Sequence, residues 1–390
     1  MNFFVLKATP FRHNAVYQHL GRARIVLLLL LLSLPRPVLA DSKSPLYVAL
    51  FGAMGAEGRQ SIFTGQVTVP TNGILTNSDG DERFLARLSR LYGMIWVPAL
   101  KNSEVSIRVE GKEIEVTTDE IGRFKAVLEN DGLTPGSHNI TIAIPGVSDV
   151  FSFPSGLTIF PETPGDLDPQ GVAFIDVDQT FLLPSEMAVV ASVLFPKRSS
   201  REDIIVPGAP EFLKWLHQQR YRIFFVSGRP SGFHAAVTEI LWQADIPKPL
   251  GLFTRPIQGL PVTAGPYKMA LIQENLEFLP PGFPVFLLGD TGQKDRSTFK
   301  NIIELNRQLD TQREFFAALR DVKADPGKKS APINPDPRVI TVFEKYKDLL
   351  THCQTRGLDS LRVHSIGSGS SLTQKRTSSL DKHISSFRLF

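Results

Sequence analysis

Asp176 and Asp178 stand one residue apart at the end of the apolar run in "AFIDVDQTFL", residues 173–182. Carboxylates that close, at the end of a buried strand, repel each other unless something positive lies between them. Two further apolar runs end in polar residues: "RIFFV" in Ser227 and "FPVFLLG" in Asp290, with Asp295 shortly after. Lys268 stands near the start of the helical stretch before the last run. In open parallel sheets ligands bind at the carboxyl ends of the strands, so these groups gather at one edge. Asp176 and Asp290 offer the oxygen ligands that Mg2+ prefers, and the ion would relieve the repulsion and neutralise a phosphate. Asp176 is then placed to attack phosphorus and form an aspartyl-phosphate. Asp178 is placed to protonate the leaving oxygen and later deprotonate water. Ser227 would donate to phosphoryl oxygens, and Lys268 would pair with Asp176 and the phosphate.

Each residue also has a plainer reading. Asp176 and Asp178 serve equally well as turn residues that bind their own backbone. Ser227 could cap a helix. Lys268 could lie on a solvated helix face, with Lys294 a rival source of charge. Asp295 could cap the helix starting near Arg296 or steer a metal-bound water. Arg229 reads either as a surface salt-bridge residue or as a fork for a second phosphate or carboxylate. The combination in order, each member at the end of an expected element, favours the chemical reading.

The positioning elements follow from periodicity. Residues 41–165 read as β: Val105, Ile107 and Val109 alternate, as do Phe124, Ala126 and Leu128, and Ile140, Ile142 and Ile144, with turn residues between. This predicts short antiparallel strands in a sandwich-like, immunoglobulin-like or transthyretin-like domain. "TTDEIGRF" has hairpin-turn chemistry, residues 46–98 are less readable, and 83–92 fit one helical segment. Residues 160–171 are a Pro/Gly/Asp-rich linker. From 166 to 320 unbroken apolar runs alternate with helical stretches at 210–219, 232–244, 267–278 and 297–319. That predicts an α/β domain with a parallel sheet buried on both faces. Residues 181–206 fit a small lid or loop over the site, in which "MAVVASVLF", 187–195, would contact lipid chains or pack in the core. Residues 321–390 read as a partly disordered basic tail, with one helix at 339–350.

Residues 1–40 carry five basic residues and no acidic one, with the run "IVLLLLLLSL" and then "VLA" ending at Ala40. This is the three-part pattern of a secretory signal peptide, cut after Ala40, and implies a periplasmic or secreted protein. A membrane-associated protein held by the uncleaved segment is the alternative. The chain has 43 basic and 39 acidic residues, net +4, but without residues 1–40 the counts are 38 and 39. The basicity belongs to the leader and argues against a nucleic-acid partner. The tail 321–390, with 12 basic and 7 acidic residues, leaves contact with an anionic membrane surface open. A single cysteine, Cys353, excludes an intramolecular disulfide.

The ordered set "DVDQT", "FFVSG", Lys268 and "GDTGQKD" resembles the haloacid dehalogenase (HAD) superfamily over about residues 169–309. That implies a HAD-like Rossmannoid sheet. "VPGAPEFLKWL", "FFVSGRP", "IPKPLGLF", "YKMALIQENLEFLP" and "FLLGDTGQKD" are more closely similar to the catalytic domain of the fungal actin-patch phosphatidate phosphatase and its bacterial relatives. The resemblance implies a phosphoric monoester hydrolase that uses Mg2+ on phosphatidate. It implies Asp176 as nucleophile and Asp178 as acid/base, with the Asp178 main-chain carbonyl also on the metal. Ser227, Lys268 and Asp290 would take the phosphate-binding, charge-pairing and metal-binding roles, and Thr180 completes the first motif. Two departures stand out: Gln179 replaces the family's usual Asp, and Arg229 replaces a Ser. They leave room for a soluble phosphomonoester as substrate, or for a HAD-like protein that only binds its ligand.

Overall fold

The computed structural model describes residues 46–68, 99–148, 150–153, 156–163, 169–183, 204–247, 249–255, 264–292, 295–322 and 341–362. The leader expected at 1–40, the helical segment expected at 83–92, the stretch 187–195, Lys294 and residues from 363 on lie outside them.

The first eight strands are β1 (Leu46–Ala56), β2 (Gln60–Thr68), β3 (Glu104–Val109), β4 (Lys112–Thr117), β5 (Arg123–Glu129), β6 (Gly136–Ala143), β7 (Val150–Phe153) and β8 (Gly156–Phe160). They form one sheet in the order β4-β3-β6-β8-β1-β2-β5, with β7 also paired to β1. The β-rich character is as expected. Instead of two facing layers there is one sheet, curled so that its end strands β4 and β5 approach each other. The alternating residues of β3, β5 and β6 point inward, where Val105, Ile107, Phe124, Ile140 and Ile142 pack with Phe63 and Val67. In the "TTDEIGRF" turn the Asp119 carboxylate accepts from the Ile121 and Arg123 N–H groups, an Asx-type turn.

β1 explains why residues 46–68 read poorly. Leu46, Val48 and Leu50 face the curled sheet's interior, while Tyr47, Ala49 and Phe51 belong to a second core. A bulge between Leu50 and Gly52 resets the alternation. Both faces are covered, so no polar position marks the period.

The second sheet is all parallel: β9 (Gly171–Asp176), β10 (Tyr221–Pro230), β11 (Gly251–Arg255), β12 (Val285–Asp290), β13 (Phe315–Arg320) and β14 (Thr341–Phe343). Its order is β11-β10-β9-β12-β13-β14. Helices α1 (Ala209–Gln218), α2 (His234–Gln243), α3 (Ala264–Leu276), α4 (Asp295–Gln308) and α5 (Tyr346–Arg356) connect and flank it. The expected parallel α/β arrangement is present. The helical stretch read at 297–319 is corrected: α4 ends at Gln308 and β13 follows. "FFAAL" is apolar at every position because both faces are buried, so periodicity alone does not separate strand from helix there. Within 321–390, residues 341–362 extend the sheet by β14 and add α5, whose Tyr346 packs on Phe212 of α1.

From β9 the chain steps to β10 and β11 on one side, then returns to place β12 on the other. The carboxyl edge between β9 and β12 is therefore a topological switch point, where open parallel sheets bind ligands.

The second core joins Tyr47, Phe51, Met54 and Phe160 to Phe174, Phe224 and Phe253 of the parallel sheet. Gly251 lets β1 come this close, since a Cβ there would overlap the Phe51 carbonyl oxygen. Gly251→Ala must push two backbones apart and is expected to cost upward of ~3 kcal/mol. A urea midpoint equal to wild type would show that the contact gives way freely.

A buried hydrogen bond, Tyr47 hydroxyl to His234 Nδ1 at 2.9 Å, ties β1 to α2. Burial pushes the His234 imidazole down from 6.5 to about 3. The unfolded chain therefore takes up a proton that the fold excludes. The stability from neutral His234 is complete above about pH 6.5 and is lost as pH falls toward 3. The slope approaches ~1.4 kcal/mol per pH unit. Urea unfolding between pH 7.5 and 5 should show this loss in wild type and a flatter profile in His234→Gln. Equal slopes would place the acid sensitivity elsewhere.

Candidate active site

Asp176 ends β9 and Asp290 ends β12, so register brings both to the carboxyl edge. β10 is irregular against β11 between Val226 and Pro230. Ser227 and Arg229, two apart on that segment, both reach Asp178. Asp178 Oδ2 accepts from the Ser227 hydroxyl at 3.1 Å, and its Oδ1 pairs with Arg229 Nε at 2.6 Å. The Arg229 N–H in turn donates to Ser227 Oγ. Arg229 is 1% exposed, which removes the surface salt-bridge reading for it.

Lys268 projects from the first turns of α3. Its Nζ lies 2.6 Å from Asp176 Oδ1 and 2.7 Å from Asp295 Oδ1, with all three side chains buried. The Thr180 hydroxyl donates to the other Asp176 oxygen at 3.2 Å. Asp295 opens α4, yet its oxygens go to Lys268 and to the Asp290 N–H. Gly289 permits that approach, because a Cβ there would lie 2.5 Å from Asp295 Oδ2. Asp290 Oδ1 accepts from the Gly292 N–H at 2.6 Å. All eight residues read from the sequence thus converge on one place, and the solvated-face reading of Lys268 does not apply.

Asp176, Asp290 and Asp295 each offer a carboxylate oxygen, all within 4.8 Å of one another, and this acidic triad could hold a metal ion. The Asp178 carboxylate is not among them, since Ser227 and Arg229 hold it. The four carboxylates face two cations, Lys268 and Arg229, an excess of two negative charges. A divalent cation with oxygen ligands fits that donor set and that charge. Burial lifts the Asp176 carboxyl well above the ordinary range; Lys268 pulls it down, while Asp295, Asp178 and Asp290 add to the rise. For Lys268, burial would lower the ammonium, but Asp176 and Asp295 more than offset this and keep it charged.

Two contributors escaped the sequence. The Tyr346 hydroxyl on α5 donates to the Thr180 carbonyl at 3.0 Å, and Arg320 at the end of β13 donates to the Gln179 carbonyl. Gln179 sits in the left-handed region, φ 62°. These donors brace the loop after Asp176 from more than 140 residues away, and no local motif marks either one.

Residues 174–309 match the family model described as "Phosphatidate phosphatase APP1, catalytic domain". This segment is an APP1-like catalytic domain. The chain is accordingly a phosphatase by class, a phosphoric monoester hydrolase. The APP1-like segment contains every residue of the constellation, whereas Arg320 and Tyr346 fall outside it. No curated protein matches the chain. Among solved structures, a carbohydrate acetylesterase from Xanthomonas citri is 11% identical, over 73% of this chain and 70% of that one, with TM-score 0.22. A putative alpha amylase from Salmonella typhimurium is 12% identical, over 72% and 52%, with TM-score 0.23. Scores this low carry no argument about fold or function.

Proposed function

We propose that the chain is a Mg2+-dependent phosphatase that hydrolyses phosphatidate, or a related lipid phosphate, through an aspartyl-phosphate on Asp176. The observation that carries this is the buried Asp176–Lys268–Asp295 chain beside Asp290, at the switch point of a parallel sheet. The same placement supports a HAD-like fold for residues 166–320. Mg2+ held by Asp176, Asp290 and Asp295, with the Asp178 main-chain carbonyl, would neutralise charge on the transferring phosphoryl group. Lys268 and Thr180 fix the Asp176 carboxylate for in-line attack on phosphorus. The P–O bond to the leaving group breaks as Asp178 gives that oxygen a proton. Asp178 then takes a proton from the water that cleaves the acyl phosphate, regenerating Asp176. Ser227 donates to the transferring oxygens once it releases Asp178.

The lipid substrate rests on the APP1-like match. A soluble phosphomonoester is the second reading, favoured by the buried guanidinium of Arg229 at the site. The leader at 1–40 supports an exported enzyme, and the basic excess of 321–390 supports contact with an anionic membrane surface. The curled β sheet, residues 41–165 in this reading, serves docking or stability.

Phosphate release from phosphatidate in mixed micelles and from an aryl phosphate, with Mg2+ or with EDTA, tests the reading. Release in Mg2+ that stops in EDTA, faster on phosphatidate, is expected. Full activity in EDTA would overturn the metal, a preference for the aryl ester would overturn the lipid, and no release from folded protein would overturn the phosphatase.

A further inference from the structure

Arg229 carries a feature that the catalytic steps leave unused. Its Nε is taken by Asp178 at 2.6 Å, but Nη1 and Nη2 are buried and have no hydrogen-bond partner among the described residues. The side chain is 1% exposed and is among the largest fully buried ones of the described residues. A guanidinium has five donors in a rigid planar fork and does not lose its charge. Leaving four of those donors buried and unmet is costly, and the unmet edge is a standing demand for acceptors. The fork matches two oxygens of a phosphate or carboxylate. Asp178 fixes where that edge lies, because its bond to Nε anchors the guanidinium beside the acid/base.

We propose that the Nη1/Nη2 edge of Arg229 is a substrate-binding subsite for a tetrahedral oxyanion, a phosphate. This rests on the phosphomonoesterase reading of the site and narrows its substrate class. The oxygens come either from the phosphoryl group being transferred or from a second phosphate on the leaving group. Binding there also locks Asp178 through Nε, so arrival of the dianion and orientation of the acid/base are one event.

Calorimetric titration of the Mg2+-loaded protein with inorganic phosphate, alongside KM and kcat, separates the outcomes. Arg229→Lys keeps a charge near Asp178 but loses the fork. If the transferred phosphate is the ligand, this variant weakens inorganic phosphate and raises KM on an aryl phosphate, each by roughly 10- to 100-fold. If a second phosphate is the ligand, those two values hold, and KM rises by the same factor only for a diphosphorylated ester. Both results support the subsite. If kcat falls on every substrate while phosphate affinity and all KM values stay within twofold, Arg229 only positions Asp178 and the proposal is overturned. Should Arg229→Lys fail to fold, Asp178→Asn/Arg229→Gln, which neutralises both partners, is compared with Asp178→Asn for inorganic phosphate and for the diphosphorylated ester. Equal affinities for both ligands overturn the subsite, and a loss for either one supports it. Arg229-dependent phosphate binding in a wild type that releases no phosphate from any ester would overturn the enzyme reading and leave the oxyanion site standing.

Discussion

Asp176→Asn is expected to abolish phosphate release, by ~10^4-fold or more, while leaving the protein folded and no less stable in EDTA. The two effects have one origin. Asp176 is 3% exposed and shares its surroundings with Asp178, Asp290 and Asp295, so burial and repulsion already hold its carboxyl well above the ordinary range. A neutral amide of the same shape relieves that strain when no metal is bound, even though the pair with Lys268 is lost. The same amide is a far poorer nucleophile and a weaker ligand, so attack on phosphorus fails. Phosphate release and urea unfolding in EDTA should therefore move independently. Release within tenfold of wild type would remove Asp176 as nucleophile. A large loss of stability would instead mean that the Asp176–Lys268 pair contributes more than the crowding of carboxylates costs.

The place where these residues gather was legible because they sit where three apolar runs stop, and a parallel sheet brings such ends together. Asp176, Ser227 and Asp290 needed only that rule, and Lys268 and Asp295 needed the spacing of the motif. Arg229 was half legible: a guanidinium after Ser227 invites a phosphate, but nothing local says that it is buried. β1 and β13 were hard to read for one physical reason, that strands covered on both faces lose the polar positions that mark a period. Tyr346 and Arg320 were invisible. Their partners are backbone carbonyls of Gln179 and Thr180, which any residue carries, and contact depends on strands that pair only in the finished sheet.

Lys268→Met is expected to destabilise the protein by about 3–5 kcal/mol at neutral pH in EDTA, because it leaves two buried carboxylates without their cation. Met fills much of the same space, so the loss reports charge and not a cavity. The excess of negative charge grows from two to three, and the cation that pulls the Asp176 carboxyl down disappears. Its folded value then stands further above the unfolded one. The sign follows: such a group favours the fold below the unfolded value, and that contribution is lost as pH rises through the folded value. The gap between variant and wild type should therefore narrow as pH is lowered from 7.5 to 5.5. Mg2+ should narrow it as well, since a divalent cation among Asp176, Asp290 and Asp295 supplies the charge that the ammonium gave. Urea unfolding at both pH values, with Mg2+ and with EDTA, measures all of this. A gap that neither pH nor Mg2+ moves would make Lys268 a packing residue and would separate it from the electrostatics of the acidic triad.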